Sequence, residues 1–528
     1  MRGAPSTPPP FAALDGARTL RRADWRWLLP RATFDRVLCL DAADLAASAR
    51  SIARELGACV DRATVDNATA VDTYDLVLAA RTDARTLGRA RVALRADGVL
   101  YVEGRAGHAR GVPGGVRGLR ARLAAAGFAD VQPVAPWPAV GSALAWFPVD
   151  PPAAGARYLL LRHPLPARHP LRRLWIAARR RAALARLAAG RPGEVVAVAR
   201  APAAPDPIAP WWAAAVPNAR PGDWVVLTPG RVDESRVVGM LILPRGRRPA
   251  AVVKLGRTPD ARRRMARGAD VLDVLRAAGF TADRRAPAPL GRLRDADGEL
   301  VAAAEVALPG RWLDTALRAR TLVAYTEAAT DWLIALALAT RGPARDDTWA
   351  RSFAPVFRRF ARACGAVVDR VLLDEAAALL ASVPPTPTVL AHGDFRPWNV
   401  YVGPGRRLAA FDWDGGRADG LPLLDLLHGH AALGFTLDRA LGTGRFAASR
   451  RRRDAGAPGR ARRDGAARYA RAVGVSDHAA RAVRAFAWMD LSADEADTAR
   501  EAGRPVTRAD LPRTYLGLWE DEARAALA

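Results

Sequence analysis

The sequence predicts two domains of different class: an N-terminal α/β domain built on a parallel sheet, then an α+β domain of two lobes. Three observations carry this reading. A chain of 528 residues exceeds what one hydrophobic core ordinarily serves, so at least two domains are expected. Over residues 31–165 short apolar strands alternate with helical runs, the pattern of strands joined by helical crossovers. From residue 216 strand-like runs cluster up to residue 310, and residues 311–528 read as a second, helical lobe.

Taken in order, residues 1–30 form an extension, Pro-rich and then Arg/Trp-rich, with no clear period. Val37–Leu40 is a short apolar strand, followed by a helical run from Ala42 to Leu56. Tyr74–Leu78 is a second buried strand, and a helix runs on to Leu94. A turn at Ala96-Asp97-Gly98 leads into the strand Val99–Glu103. The helix Val116–Ala126 passes through Gly127-Phe128 to strands near Val131 and over Tyr158–Leu161. This order resembles a class I S-adenosylmethionine methyltransferase, a Rossmann-like fold. That resemblance implies a Gly-rich turn after the first strand, where backbone approaches the cofactor. Here the turn reads Asp41-Ala42-Ala43-Asp44, and every Cβ stands where a ligand should pass. The expected domain is therefore degenerate, kept for packing or partner docking.

Residues 166–215 bridge the two parts. Leu171, Leu174, Trp175, Ala178, Ala182 and Ala185 fall at helical spacing with arginines largely elsewhere on the helix. Such a basic amphipathic helix permits weak peripheral contact with an anionic membrane, but docking on a neighbouring domain is the commoner use. Ala201–Pro210 reads as a Pro/Ala linker, and the Arg-rich residues 445–465 as a disordered loop.

The formal charge of +26 suggests a nucleic-acid binder at first sight. Its make-up argues otherwise. Of the 80 basic residues 79 are arginine, a skew that mutational bias in a GC-rich genome produces across a whole chain. No aromatic residues interleave with basic ones in a nucleic-acid-binding pattern, so no specific nucleic acid is expected. Three widely spaced cysteines (Cys39, Cys59, Cys364) suggest neither a disulfide framework nor zinc. Met1–Phe11 lacks an apolar core of signal-peptide length, which makes the cytoplasm the expected address. Oligomeric state is not legible.

The chemistry concentrates at residues 390–414. The stretch contains His392-Gly393-Asp394 and, further on, Trp398-Asn399. Phosphoryl transfer from Mg-ATP needs an acidic group at the acceptor hydroxyl and a second group holding metal against the phosphates. Kinase catalytic loops place these as Asp and Asn with four residues between, the spacing of Asp394 and Asn399. The apolar strand Val400–Val402 turns at Gly403-Pro404-Gly405 and returns as Leu408–Phe411, delivering Asp412-Trp413-Asp414 beside the loop. An Asp in that place can chelate Mg²⁺. These elements resemble the aminoglycoside phosphotransferase and choline kinase group, which has a two-lobed protein-kinase-like fold. The resemblance implies Asp394 as catalytic base, Asn399 and Asp412 as Mg²⁺ ligands, ATP as phosphoryl donor and a small-molecule hydroxyl as acceptor. It casts His392 as a brace for the loop and Asp425 as a structural residue.

Upstream, Trp224–Leu227 and Arg236–Leu243 flank a polar turn, as an ATP-covering hairpin would. The strand Ala250–Leu255 resembles the Val-Ala-Ile-Lys strand of kinases and carries Lys254, the one lysine of the chain. A slim ammonium fits between α- and β-phosphates where a forked guanidinium is too broad. Ala303–Gly310 resembles the hinge between lobes, with Glu305 and Ala307 at the adenine. Two departures stand out. The helix after Lys254 should offer a glutamate to hold it, yet that position is Gly268, with Asp270 or Asp273 as substitutes; and the turn Thr228–Ser235 has only Gly230. Two readings follow: an active kinase for a hydroxyl of a sugar, amino alcohol, aminoglycoside-like compound or glycolipid precursor, or a nucleotide-binding pseudokinase scaffold with a docking domain.

Overall fold

The structure, a computed structural model, describes residues 21–104, 115–137, 139–149, 194–200, 209–217, 223–228, 236–243 and 248–528, with positions 178, 181, 182 and 185. The start of the extension, most of the basic helix and Pro/Ala linker, the strand at Tyr158–Leu161 and most of the turn Thr228–Ser235 lie outside the described residues. Two compact units divide the chain. Among the described residues, one comprises those from 21 to 265 together with 290–307, and the other 266–289 with 308–528.

The first unit is a sheet of twelve strands among the described residues. In chain order they are β1 (Arg36–Leu40), β2 (Cys59–Ala63), β3 (Tyr74–Ala79), β4 (Leu94–Gly104), β5 (Val131–Trp137) and β6 (Ala145–Pro148). Then come β7 (Val195–Arg200), β8 (Asp223–Leu227), β9 (Arg236–Ile242), β10 (Ala251–Gly256), β11 (Pro289–Arg294) and β12 (Leu300–Val306). Their order across the sheet is β11-β12-β10-β9-β8-β6-β5-β7-β4-β3-β1-β2. β2, β1, β3 and β4 are parallel, with the helices α1 (Ala43–Ser51) and α2 (Ala84–Ala93) as crossovers, and α3 (Gly115–Ala125) follows β4. All six residues of β3 are buried, the signature of a parallel strand covered on both faces. Asp41, in the turn after β1, takes a left-handed φ of 48°, a conformation Asp tolerates better than most residues without glycine's freedom.

The sequence places residues 31–165 and 216–310 in separate domains, yet their strands share this sheet. Antiparallel β7 joins β4 to β5, and β6 pairs with β8. The expected hairpin is present as β8 and β9, antiparallel from Asp223↔Ile242 to Leu227↔Val238. The apparent turn at Ala96–Gly98 is instead a register irregularity inside β4. The closing part of the extension, where the sequence shows no clear period, is a buried 3₁₀ segment over Ala23–Leu28.

The second unit is mainly helical. Part of α4 (Pro259–Ala277) and the helices α5 (Leu322–Thr340), α6 (Ala354–Cys364) and α7 (Arg370–Ala381) contribute to one apolar core. So do α8 (Leu424–Asp438), α9 (Phe446–Asp454), α10 (Gly456–Val473), α11 (Asp477–Phe486), α12 (Met489–Glu501) and α13 (Tyr515–Leu527). By length and composition Ala319–Thr340 could cross a membrane, but Asp331 interrupts it and Tyr325, Trp332, Leu333 and Leu336 are buried in the core. The Arg-rich segment 445–465 is helical in α9 and α10, not a loop. Carboxylates account for this: Arg450 Nε donates to Glu522 at 2.8 Å, Arg451 to Asp521 at 2.8 Å, and Arg453 to Asp438. With the charges paired, the good helix propensity of Ala and Arg prevails.

Gly239 of β9 lies under the indole of Trp212, where an added Cβ would stand 2.3 Å from the ring. Gly239→Ala should therefore destabilise the protein by about 1–3 kcal/mol, read as a lower urea midpoint at unchanged slope.

Candidate active site

The hairpin of β13 (Val400–Val402) and β14 (Leu408–Ala410), paired Val400↔Ala410 to Val402↔Leu408, sets the site in the helical unit. At its mouth Phe411 N donates to Asn399 O at 3.0 Å, so Asp412 follows directly beside Asn399. Pro397 begins the 3₁₀ turn Pro397–Asn399, where its missing N–H is harmless, and that turn aims Asn399 back at Asp394.

His392, Asp394, Asn399 and Asp412 come together as the spacing requires. Asn399 Nδ2 donates to the Asp394 backbone O at 3.0 Å and to its carboxylate Oδ2 at 2.6 Å. Arg396 Nε holds the other carboxylate oxygen, Oδ1, at 2.8 Å. Half-burial raises the Asp394 pKa above the ordinary carboxylate range; Arg396 opposes that rise and the Asp412 charge adds to it. His392 is fully buried. Its Nε2 lies 3.0 Å from Phe411 O and its Nδ1 accepts the N–H of Asp394 at 3.3 Å, which requires the proton on Nε2. The ring packs 4.4 Å from the indole of Trp413, centroid to centroid.

The loop is fastened from below by Asp425, in the first turn of α8. Its carboxylate accepts the N–H of His392 at 2.5 Å and of Gly393 at 3.0 Å. Burial pushes this carboxyl up to about 6, and the two N–H bonds work against that shift. Gly393 has φ 76°, and a Cβ there would meet the Gly415 carbonyl at 2.3 Å, so the position admits glycine alone. Asp412 is left-handed too, at φ 71° without glycine's freedom, a strained backbone of the kind that gathers at functional sites.

As a metal site the arrangement is partial. Among the described residues no group of three His, Cys, Asp or Glu side chains could hold a metal. One amide and one carboxylate, Asn399 and Asp412, suit Mg²⁺, which keeps several water or phosphate ligands and takes few from the protein.

Lys254 lies in the sheet-bearing unit. It pairs with Ala303 across the ladder while Val252 pairs with Glu305, which makes Lys254 and Glu305 diagonal neighbours on one face. Lys254 Nζ lies 3.2 Å from Glu305 Oε2, with both side chains buried. A carboxylate at Lys254 thus comes from β12. Asp273 instead pairs with Arg276 on the surface of α4. Gly268 faces Asp414 in the helical unit, and a Cβ on it would stand 2.7 Å from Asp414 Oδ1. Ala307 donates its N–H to Ala250 O at 3.1 Å. Sequence reasoning missed Arg396 and the side-chain contact of Glu305 with Lys254. The signals were a lone acid in the apolar run Val301–Val306, and a basic residue two places after the loop aspartate.

Residues 241–466 match the model of the phosphotransferase enzyme family APH. No curated protein is similar enough to match. Among solved structures, a glucosamine kinase in complex with glucosamine, ADP and phosphate is 21% identical over 52% of this chain and 75% of its own, with TM-score 0.32. The macrolide 2'-phosphotransferase MphH of Brachybacterium faecium is 18% identical over 56% and 88%, with TM-score 0.32. The choline kinase LicA of Streptococcus pneumoniae is 14% identical over 57% and 93%, with TM-score 0.33. Likenesses of this size carry no argument about chemistry.

Arg396 lowers the Asp394 pKa, so Arg396→Gln should move its titration to higher pH. A carboxyl ¹³C titration of both proteins reads this directly, and an unmoved midpoint would contradict the contact.

Proposed function

We propose that the chain transfers the γ-phosphoryl group of Mg-ATP to a hydroxyl of a small molecule. One observation carries the reading: Asp394 is held by Asn399 and Arg396 with Asp412 alongside, inside the region that matches a phosphotransferase family. Asp394 orients the acceptor hydroxyl and takes its proton. Asn399 and Asp412 would hold Mg²⁺, which when bound would neutralise charge on the phosphates. Lys254, with Glu305 fixing its ammonium, orients the α- and β-phosphates. The scaffold reading drew on the missing helix glutamate and on the degenerate first domain; the Lys254–Glu305 contact speaks against the first of these.

Next to Asp394 a narrow cleft is lined by Arg396, Trp398, His428, Phe435, Trp488 and Tyr515 among others. Burial pushes His428 down to about 4, so it is neutral at pH 7, and the cleft offers a cation and aromatic faces but no lining carboxylate. A polycation would meet Arg396 unfavourably. That charge favours a neutral acceptor such as a sugar over an amino alcohol or an aminoglycoside.

Asp394→Ala should reduce transfer to background while Mg-ADP affinity stays within about twofold. Lys254→Ala should weaken Mg-ADP by about tenfold or more. Calorimetry alongside an ADP-release assay measures both; loss of nucleotide binding in Asp394→Ala would make that aspartate structural.

A further inference from the structure

Arg21–Leu29 reads in sequence as an irregular leader, yet every residue of Ala23–Leu28 is buried against the sheet. Alternation decides which side of β10 it covers. Ala251, Val253 and Leu255 point into the core that also contains Trp25, Trp27 and Trp212, so Lys254 points the other way, with Glu305. Just past β10, Arg257 sends Nε and Nη2 to Asp24 Oδ1 and Oδ2 at 3.0 and 2.8 Å, a two-pronged pair with both residues 1% exposed. Arg26 donates to Arg257 O at 3.4 Å and pairs with Glu55 at 3.4 Å. Trp212 Nε1 donates to Trp27 O at 2.7 Å. At the other end of the segment, Arg22 bridges Glu103 at 2.6 Å and Asp44 at 3.1 Å. That is the carboxyl edge of the parallel strands, where open α/β sheets bind ligands.

A guanidinium–carboxylate pair this deeply buried adds little net stability, because desolvation offsets the attraction; what it does well is fix geometry. Here it fixes the end of the strand that carries Lys254, three residues away. We infer that Asp24 and Arg257 are positioning residues for the nucleotide. The strap Arg22–Leu29 locks β10 from behind, and the N-terminal α/β strands buttress ATP binding instead of forming a catalytic domain of their own. This rests on the phosphotransferase reading.

The test uses the full chain. Asp24→Asn keeps shape and removes charge; Arg257→Lys keeps charge and removes the fork. Each should weaken Mg-ADP and raise KM for ATP by about tenfold with kcat little changed, and the double variant should be scarcely worse than either single one. A folded Asp24→Asn protein that binds Mg-ADP like wild type overturns the inference and leaves the phosphotransferase reading standing. Should both variants fail to fold, hydrogen exchange on wild type decides. Linkage requires Mg-ADP to raise protection of the strap amides, and unchanged protection overturns the inference. Wild type that binds no Mg-ADP overturns both readings together.

Discussion

The Asp425 carboxylate is the contact on which the rest of the site depends. A catalytic loop cannot be a helix or a strand at its turn, so its buried N–H groups have no ladder to join. Asp425 takes two of them, from His392 and Gly393, and does so from the N-terminal turn of α8, where a negative charge is favoured. With those N–H groups fixed, His392 bridges the Asp394 amide to the Phe411 carbonyl, and so ties the loop to the strand that delivers Asp412. Each functional oxygen is placed by a group that is itself held.

The sheet-bearing unit solves a parallel problem with charge. Lys254 is buried, and a buried ammonium without a carboxylate would be neutralised or expelled. The antiparallel register supplies Glu305 from the neighbouring strand. Arg257 and Asp24 repeat the device on the opposite face of the strand's end.

Much of this was legible in sequence because the chemistry fixes local spacing. Asp394, Asn399 and Asp412 sit within one loop and one hairpin, so counting residues finds them. The alternation of Val37–Leu40 and Tyr74–Leu78 with helices likewise announced a parallel sheet. What could not be read depends on pairing between distant segments. Glu305 becomes the partner of Lys254 only once the register of β10 with β12 is known. Asp24 meets Arg257 across 233 positions, and no local period marks the strap because a 3₁₀ segment buried all round has none. The Arg-rich stretch misled for the same reason: its partners Asp438, Asp521 and Glu522 are remote, and unpaired it would read as solvated coil. The join of the two parts through β6 and β8 was hidden because short strands leave weak signals.

The measurement that bears most directly on the central claim is ³¹P NMR of purified full-length protein with Mg-ATP and a panel of neutral sugars, amino alcohols and aminoglycosides. The account predicts a new phosphomonoester resonance with one of the neutral sugars, growing in step with ADP. A chain that binds Mg-ADP yet yields an ester only with the polycationic acceptors would contradict the acceptor chemistry. A chain that neither binds the nucleotide nor forms any ester would contradict the account as a whole.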